Sequence, residues 1–346
     1  MLLYFKFVIP TAQPQSDPKG AVNNHALLSG KVVRSSSDIS PRDLFKEMSP
    51  DVVMATQNSH HDLMPAEFID SAHREKIPSV LVQDFWGNHA HGSWGILPDL
   101  VCVQDCLGKE LVLKTWPDMQ HYQVVITGQP AFDNLISVDT AEANKKLREQ
   151  FQLSEDWPII HFSGGSYGMP EAIRITIDAL NILKRPVYLF IRHHPTLTLP
   201  GASDDFKRIY REYHTMPEDL LVGQSITSDA SISSDLINAG SDIVISMYST
   251  QSVKACYLRK ACISVLVSES RQNLEKATGG LLNEFPPVAL GACWFGMTDW
   301  KVAECLGRIF EGDTGDMRKA QEEHFVTDGK SAERVLGATL KLVKIK

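Results

Sequence analysis

The chain has 346 residues, of which 43% are hydrophobic and 22% charged, with a formal net charge of −8. This is an ordinary globular composition, and the length suffices for two domains. The acidic balance excludes a general nucleic-acid binder, which needs a basic face, but leaves room for a local basic pocket holding one anionic ligand.

The opening residues MLLYFKFVIP are apolar but too short to cross a membrane, and no small-residue cleavage site follows them. They read as a first buried strand. No other run is long enough for a membrane-spanning helix, so the expected protein is soluble, without an integral membrane segment, and cytoplasmic. The cysteines, Cys102, Cys106, Cys256, Cys262, Cys293 and Cys305, form no CxxC pair or Cys/His cluster with zinc spacing. Reduced, buried thiols are the expectation.

Residues 11–30 form a loop with Pro, Gly and Asn and no usable motif. Strands are expected at 31–34, 51–55, 79–83, 100–103 and 123–127, and helices at 41–48, 65–76 and 106–114. Gly128-Gln129-Pro130 breaks the chain, and the polar, charged, helical stretch 138–152 marks a domain junction. The alternation then restarts. Strands are expected at 159–162, 187–192, 220–222, 242–246 and 261–267. Helices are expected at 170–183, 206–213, 232–239, 250–258, 299–310 and 330–343. Short apolar runs alternating with amphipathic segments predict an α/β fold, with mostly parallel sheets covered by helices on both faces. The domains are 1–137 and 138–346, with the last helices free to pack back on the first domain.

Three strand ends in the second half carry candidate chemistry, because ligands bind at the carboxyl edge of open α/β sheets. One strand ends in Ser163-Gly164-Gly165-Ser166, where glycines allow close backbone approach and a following helix start favours an anion. A tight turn without a ligand explains that loop equally well. The second ends in Arg192-His193-His194-Pro195. Alternation sends His193 and His194 to opposite sides, so one can hold phosphate or move protons; the alternative is one satisfied core histidine and one solvated one. The third runs into Ser249-Thr250-Gln251, where a hydroxyl at a helix start caps the helix, binds a diphosphate, or does both.

In the first half, Asn58-Ser59-His60-His61-Asp62 follows one strand and Gln83-Asp84-Phe85-Trp86-Gly87-Asn88-His89-Ala90-His91-Gly92 follows another. Asp84 or a nearby histidine is a candidate base for an acceptor hydroxyl. His60, His61, His89 and His91 have no spacing that fixes a metal geometry, so no metal site is assigned.

Four stretches resemble the GT-B superfamily of sugar-nucleotide enzymes. Val125-Ile126-Thr127-Gly128-Gln129-Pro130-Ala131-Phe132-Asp133 resembles the TGxPxxD turn that closes a GT-B N-terminal domain. Arg192-His193-His194-Pro195 is similar to the HP strand end of UDP-N-acetylglucosamine 2-epimerases and of glycerophosphotransferase- and capsule-type polymer transferases. The segment from Asp242 to Gln251, with Ala255 and residues 260–265, resembles their nucleotide-side strand and helix. Thr327-Asp328-Gly329-Lys330-Ser331-Ala332 resembles their approach to the last helix.

The resemblance implies two Rossmann-like domains facing across a cleft, an N-terminal acceptor side and a C-terminal nucleotide-binding side. His194, Ser249 and Thr250 would contact the donor diphosphate, bordered by Gly164, Gly165 and Ser166, with Arg192, His193 and Gln251 beside them. His194, Asp84 and His91 would be catalytic. The implied activity is metal-independent glycosyl transfer from a nucleotide-sugar donor to an acceptor, of the kind used in polysaccharide biosynthesis, with no further cofactor. A homo-oligomer stays open. The chain departs from the 2-epimerases where they carry glutamates, having Gln251-Ser252-Val253-Lys254 instead, and Lys254 stands where related transferases hold the donor ribose with glutamate. A 2-epimerase or hydrolase, or a non-catalytic binding protein of this fold, are therefore the alternatives.

Overall fold

The computed structural model of the chain describes residues 5–10, 28–33, 40–57, 64–90, 95–165, 167–194, 197, 202–214, 220–227 and 232–344. The chain divides into two compact units: 1–133 with 277–281 and 330–346, and 134–276 with 282–329. The division falls after Asp133, and the last helix belongs with the first unit rather than with the residues that precede it.

The first unit holds strands β1 (Phe5–Pro10), β2 (Leu28–Val33), β3 (Val52–Gln57), β4 (Ser79–Gln83), β5 (Leu100–Val103) and β6 (Val124–Ile126). Its helices in this part of the chain are α1 (Pro41–Met48), α2 (Met64–Arg74) and α3 (Cys106–Thr115). The strands lie in the order β2-β1-β3-β4-β5-β6, and every ladder is parallel. β4 and β5 are buried along their whole length, as strands covered on both faces must be. Alternation assigns the faces: Leu81 packs with Ile69, Val101 and Val112, while Val80 and Val82 pack with Leu100 and Cys102 on the other side.

The second unit holds β7 (Ile159–Ser163), β8 (Tyr188–Arg192), β9 (Gln224–Thr227), β10 (Ile243–Ser246), β11 (Ala261–Ser264) and β12 (Trp294–Phe295). Its helices are α4 (Thr140–Phe151), α5 (Met169–Leu183), α6 (Asp204–His214), α7 (Ser234–Gly240), α8 (Thr250–Tyr257), α9 (Ser268–Ala277), α10 (Pro286–Ala289), α11 (Asp299–Phe310) and α12 (Gly315–His324); α13 (Ser331–Lys344) ends the chain. The order β12-β11-β10-β7-β8-β9 is again parallel throughout. Ile160, Phe162, Leu189, Ile191, Ile243, Ile245 and Ile263 pack on one face with Ile173 and Ile177 of α5 and Leu306 of α11. Ile159, Tyr188 and Phe190 pack on the other with Leu147 of α4 and Ile237 of α7.

Some expected elements move. β2 begins at Leu28, inside the expected loop. The strand expected at 220–222 is not there, and β9 follows it instead. Gly223 explains this: at φ +118 it lies so close to β8 that a Cβ would sit 2.4 Å from the Val187 carbonyl, and pairing begins only after it, with Gln224 N donating to that carbonyl at 2.9 Å. The strand expected to reach residue 267 stops at Ser264. Helices α9, α10 and α12 and the short β12 carried no sequence expectation. All six thiols are free, and Cys106 departs from the buried expectation because it opens α3 on the exposed side. Among the described residues no helix is long and apolar enough to cross a membrane.

The turn at 127–133 and the approach to the last helix, far apart in sequence, meet in the first unit. Asp133 accepts hydrogen bonds from the backbone N–H groups of Ser331 at 2.9 Å and Ala332 at 2.8 Å, supplying the open N-terminus of α13 with an acceptor. Arg334 Nε donates to the Thr127 carbonyl at 2.7 Å. Gly128, at φ +80, sits so near that a Cβ would lie 2.5 Å from Ser331 Oγ. This anchoring lays Val335 against Val80, Val82, Leu100 and Cys102, with Ala338 and Leu342 alongside. Replacing Asp133 with Ala removes both charge-assisted bonds and lowers stability by about 2 kcal/mol, while Asp133→Asn, which keeps one acceptor, loses less. Urea denaturation followed by circular dichroism measures the difference.

Candidate functional site

Strand order fixes where a ligand can enter the second unit. From β7 the chain proceeds outward through β8 and β9; it then returns to pair β10 on the other side of β7 and proceeds outward through β11 and β12. The carboxyl ends of β7 and β10 therefore flank a topological switch point, the usual ligand crevice of an open α/β sheet.

The ladder puts Ser264, Ser246, Ser163 and Arg192 in one row across four strand ends. Each finds a partner within the unit. Ser163 Oγ lies 3.3 Å from Ser249 Oγ across the switch point. Ser246 Oγ lies 2.6 Å from Ser252 Oγ. Ser264 Oγ donates to the Met247 carbonyl. The Arg192 guanidinium donates to the Ile232 carbonyl ahead of α7.

Two helices open at this edge. Ser249 is the N-cap of α8 and accepts from Gln251 N at 3.2 Å, so its own proton stays directed elsewhere, toward Ser163 or a ligand. The first residue of α8, Thr250, is exposed. The helix α5 begins after the glycine loop with Gly168 as N-cap, at φ +77, and no side chain caps it. The N–H groups these helix starts leave unpaired favour an anion; at α8 the Gln251 N–H is taken by the Ser249 cap.

The glycines have distinct reasons. A Cβ at Gly164 would meet the Arg192 carbonyl at 2.7 Å and Met169 Sδ at 2.6 Å. Gly164 N also donates to that carbonyl at 2.7 Å, continuing the β7–β8 ladder past the strand end. A Cβ at Gly165 would meet only Met247 Cε, at 2.5 Å, the movable end of a side chain.

The two histidines after β8 part as alternation requires. His193 is half-buried, its ring centroid 5.5 Å from Tyr210 and 6.0 Å from Tyr213 of α6. His194 keeps its side chain exposed, yet surrounding protein desolvates it enough to lower its pKa, and the His193 charge adds to the effect. It is neutral at neutral pH and acts there as a hydrogen-bonding group rather than a cation.

Residues without a sequence motif complete the site. Asp235 at the start of α7 accepts from Lys254 Nζ at 2.6 Å and Gln251 Nε2 at 3.3 Å. Lys254 is thus held by a carboxylate of the neighbouring helix. Asn238 donates to the Gln251 carbonyl at 3.1 Å. Beneath them His161 is fully buried, and neither ring nitrogen has a hydrogen-bond partner among the described residues. Its pKa is held down to about 4, chiefly by burial, which the Asn238 amide offsets only in part, with the Arg192 charge adding to the lowering. Only the Asp-to-Ser strand 242–246 and its hydroxyl turn signalled this region in the sequence; a lone histidine in the apolar run 159–163 gave no warning.

The first-unit candidates lie elsewhere. Asp84 follows β4 with its side chain exposed, and the protein around it raises its carboxyl pKa, an effect its exposure limits. Its carbonyl accepts from Gln129 Nε2 at 2.8 Å. His89 is buried in a short 3-10 helix, with Nε2 3.2 Å from Thr115 Oγ1 and its ring 5.0 Å from Trp116, a packing role. His60, His61, His91, Ser166 and Pro195 lie outside the described residues. Among the described residues no group of three or more His, Cys, Asp and Glu is placed to hold a metal ion.

No protein-family model matches the chain, and no curated protein sequence matches it. Solved structures do, along almost its whole length. A putative UDP-N-acetylglucosamine 2-epimerase from Listeria monocytogenes superposes with a TM-score of 0.68 at 11% identity, covering 99% of this chain and 98% of the other. The UDP-GlcNAc 2-epimerase from Neisseria meningitidis, solved with UDP-GlcNAc bound, gives 0.62 at 14% identity, covering 98% and 100%. A glycosyltransferase from Rickettsia africae gives 0.56 at 12% identity, covering 99% of both. The chain has the GT-B fold. In GT-B terms the switch point at β7 and β10 belongs to the C-terminal of the two Rossmann-like sheets.

Two outcomes follow from this geometry. Gly164→Ala forces backbone apart and costs about 1–3 kcal/mol, whereas Gly165→Ala needs only a rotamer change at Met247 and costs less; paired thermal melts order the two. His161 is neutral when folded and near 6.5 when unfolded. The unfolded chain therefore binds more protons between about pH 6.5 and 4, and stability falls as pH drops through that window. In His161→Phe the urea midpoint varies less over the same range; an unchanged acid dependence would remove His161 as its source.

Proposed function

We propose that the chain is a glycosyltransferase-like enzyme that uses a nucleotide-activated sugar, with a UDP-sugar as the first donor to try. The observation that carries this reading is the meeting at the switch point of two helix starts, α5 without a side-chain cap and α8 capped by Ser249, beside the Ser163–Ser249 hydroxyl pair. Backbone N–H groups and hydroxyls already oriented there suit a diphosphate that gains negative charge as it leaves the sugar. They supply this stabilisation without a metal ion.

Gly164 and Gly165 let the backbone approach the diphosphate, Ser249 and Thr250 present hydroxyl and N–H groups to it, and Gln251, whose N–H is taken by the Ser249 cap, stands beside them. Ser166 would join them. His194, neutral and exposed, donates one hydrogen bond to a phosphate oxygen or the leaving oxygen. Arg192 lends positive charge at the rim, although it also holds the Ile232 carbonyl, and His193 lends position beside it. Asp84 and His91 are the candidate bases for the acceptor hydroxyl.

A 2-epimerase reading is favoured by the Neisseria and Listeria neighbours, which carry that activity in their descriptions. Against it stands the stretch Gln251-Ser252-Val253-Lys254, which lacks the glutamates that the resemblance leads one to expect in 2-epimerases; Lys254, paired with Asp235, departs equally from the glutamate of the related transferases.

A thermal-shift panel of UDP, GDP, CDP, CMP and ADP tests the donor site. UDP raises stability by about 2.7 kcal/mol at a hundred times its dissociation constant, and the other nucleotides by less. Absence of a shift with all five would leave a non-catalytic binding protein. With the donor in hand, the transferase reading expects glycosyl transfer or slow donor hydrolysis that falls at least tenfold in His194→Ala. The epimerase reading expects incorporation of solvent deuterium at the sugar carbon instead.

A further inference from the structure

The opposite edge of the same sheet has a site of its own. There the starts of β7, β10 and β11, the ends of α5, α8 and α11 and the start of α12 border a cavity of about 920 Å³. That volume is in the range of small-molecule sites. It lies a strand length, roughly 13–17 Å, from the carboxyl edge, so it is separate from the donor site.

Its lining is cationic in an acidic protein: five Arg and Lys side chains against three carboxylates. Two of the cations have structural work. Arg148 holds the Trp157 carbonyl at 3.2 Å and pairs with Glu155 at 3.5 Å and Asp242 at 3.8 Å. Arg259 holds the Cys256 and Phe325 carbonyls, at 2.8 and 2.9 Å.

The other three do not. Among the described residues Arg185, Lys260 and Arg318 have no carboxylate within ion-pair distance. Arg185 lies over the Phe310 ring, 4.4 Å from its centroid. Lys260 is half-buried, and desolvation lowers its pKa even with Asp242 in the neighbourhood.

Helix ends explain two of these three. Arg185 and Lys260 follow the C-termini of α5 and α8, where the helix dipole alone favours a cation. Arg318 has no such account. It sits in the first turn of α12, the end where a cation is disfavoured. That end also lacks a side-chain cap: Thr314 makes no cap bond and its Oγ1 instead accepts from Arg318 Nε at 3.2 Å, while Asp316, the acidic residue of that turn, does not line the cavity. Beside it Gly315 faces open space, where a Cβ would meet no heavy atom within 4 Å. A cation and unused N–H groups turned toward one cavity form an arrangement that an anion completes.

We propose that this cavity is a second ligand site, for a small compound carrying two or more phosphate groups, held by Arg318, Lys260, Arg185 and the first turn of α12. This stands independently of the donor reading, because none of these residues lies at the carboxyl edge.

Isothermal titration of the full chain with inorganic pyrophosphate and with tripolyphosphate tests it. Arg185 and Arg318 are both exposed, so Arg185→Gln/Arg318→Gln is compatible with folding, and Arg318→Gln alone serves where the double variant melts early. A control, Lys145→Gln/Lys146→Gln on α4, removes the same charge away from the cavity. The difference between wild type and variant reads this cavity alone, whatever binds at the other edge. The expected result is polyphosphate binding weakened at least tenfold in the cavity variants and within twofold of wild type in the control. Binding unchanged in the cavity variants, equal weakening in the control, or no binding of either compound by wild type would each overturn the proposal.

Discussion

The parallel register of β7 between β8 and β10 is the constraint on which the second unit depends. It brings Ser163 level with Ser246 on one side and Arg192 on the other. Side chains alternate faces along a strand, so a shift of one residue would exchange Phe162 for His161 and turn Ser163 away from Ser249. The apolar residues resist that shift. Ile160 and Phe162 are sealed against α5 and α11, Ile159 against α4 and α7. The hydrophobic packing that stabilises the sheet is thus also what holds four polar strand ends in line.

Polar groups directly below that edge are arranged in two ways. The serines are satisfied, each by a group of the segment 247–252 that leads from β10 into α8, and so cost little on burial. His161 and the Asn238 carbonyl oxygen are buried without partners, which costs free energy that the surrounding core must offset. Arg192 lies near enough to His161 to disfavour its protonation, and its guanidinium is fixed by the Ile232 carbonyl. The neutral imidazole is therefore the compatible state beside the half-buried Arg192.

The alternation of apolar and amphipathic runs made most strands legible, because strands buried on both faces leave little freedom in composition. What stayed hidden was decided by tertiary contact. Leu220, Leu221 and Val222 look like a strand, but Gly223 is where the backbone can reach β8. The helix α12 has a polar sequence, and only burial of Met317 and Gln321 reveals its inner face. At the site, the glycine loop and Ser249 were readable because turns and helix starts restrict residue types. Asp235 was not, since a carboxylate in the first turn of a helix is ordinary. Only the fold places it against Lys254. Likewise Asp133 and Ser331 each stood in a recognisable stretch, yet nothing in either stretch indicates that one caps the other.

The two edges of the second sheet face opposite electrostatic problems. In a parallel α/β unit, the helices that follow the strands start at the carboxyl edge and end at the amino edge. Their dipoles make the first edge positive without charged side chains and the second negative. The carboxyl edge carries glycines, hydroxyls and N–H groups, with its cations engaged: Arg192 donates to the Ile232 carbonyl and Lys254 is held by Asp235. At the amino edge, Arg185, Arg259 and Lys260 counter the helix C-termini. The helix α12 breaks the pattern, because it follows α11 rather than a strand and so opens where its neighbours close. Its start adds positive potential at an edge already lined with five Arg and Lys side chains.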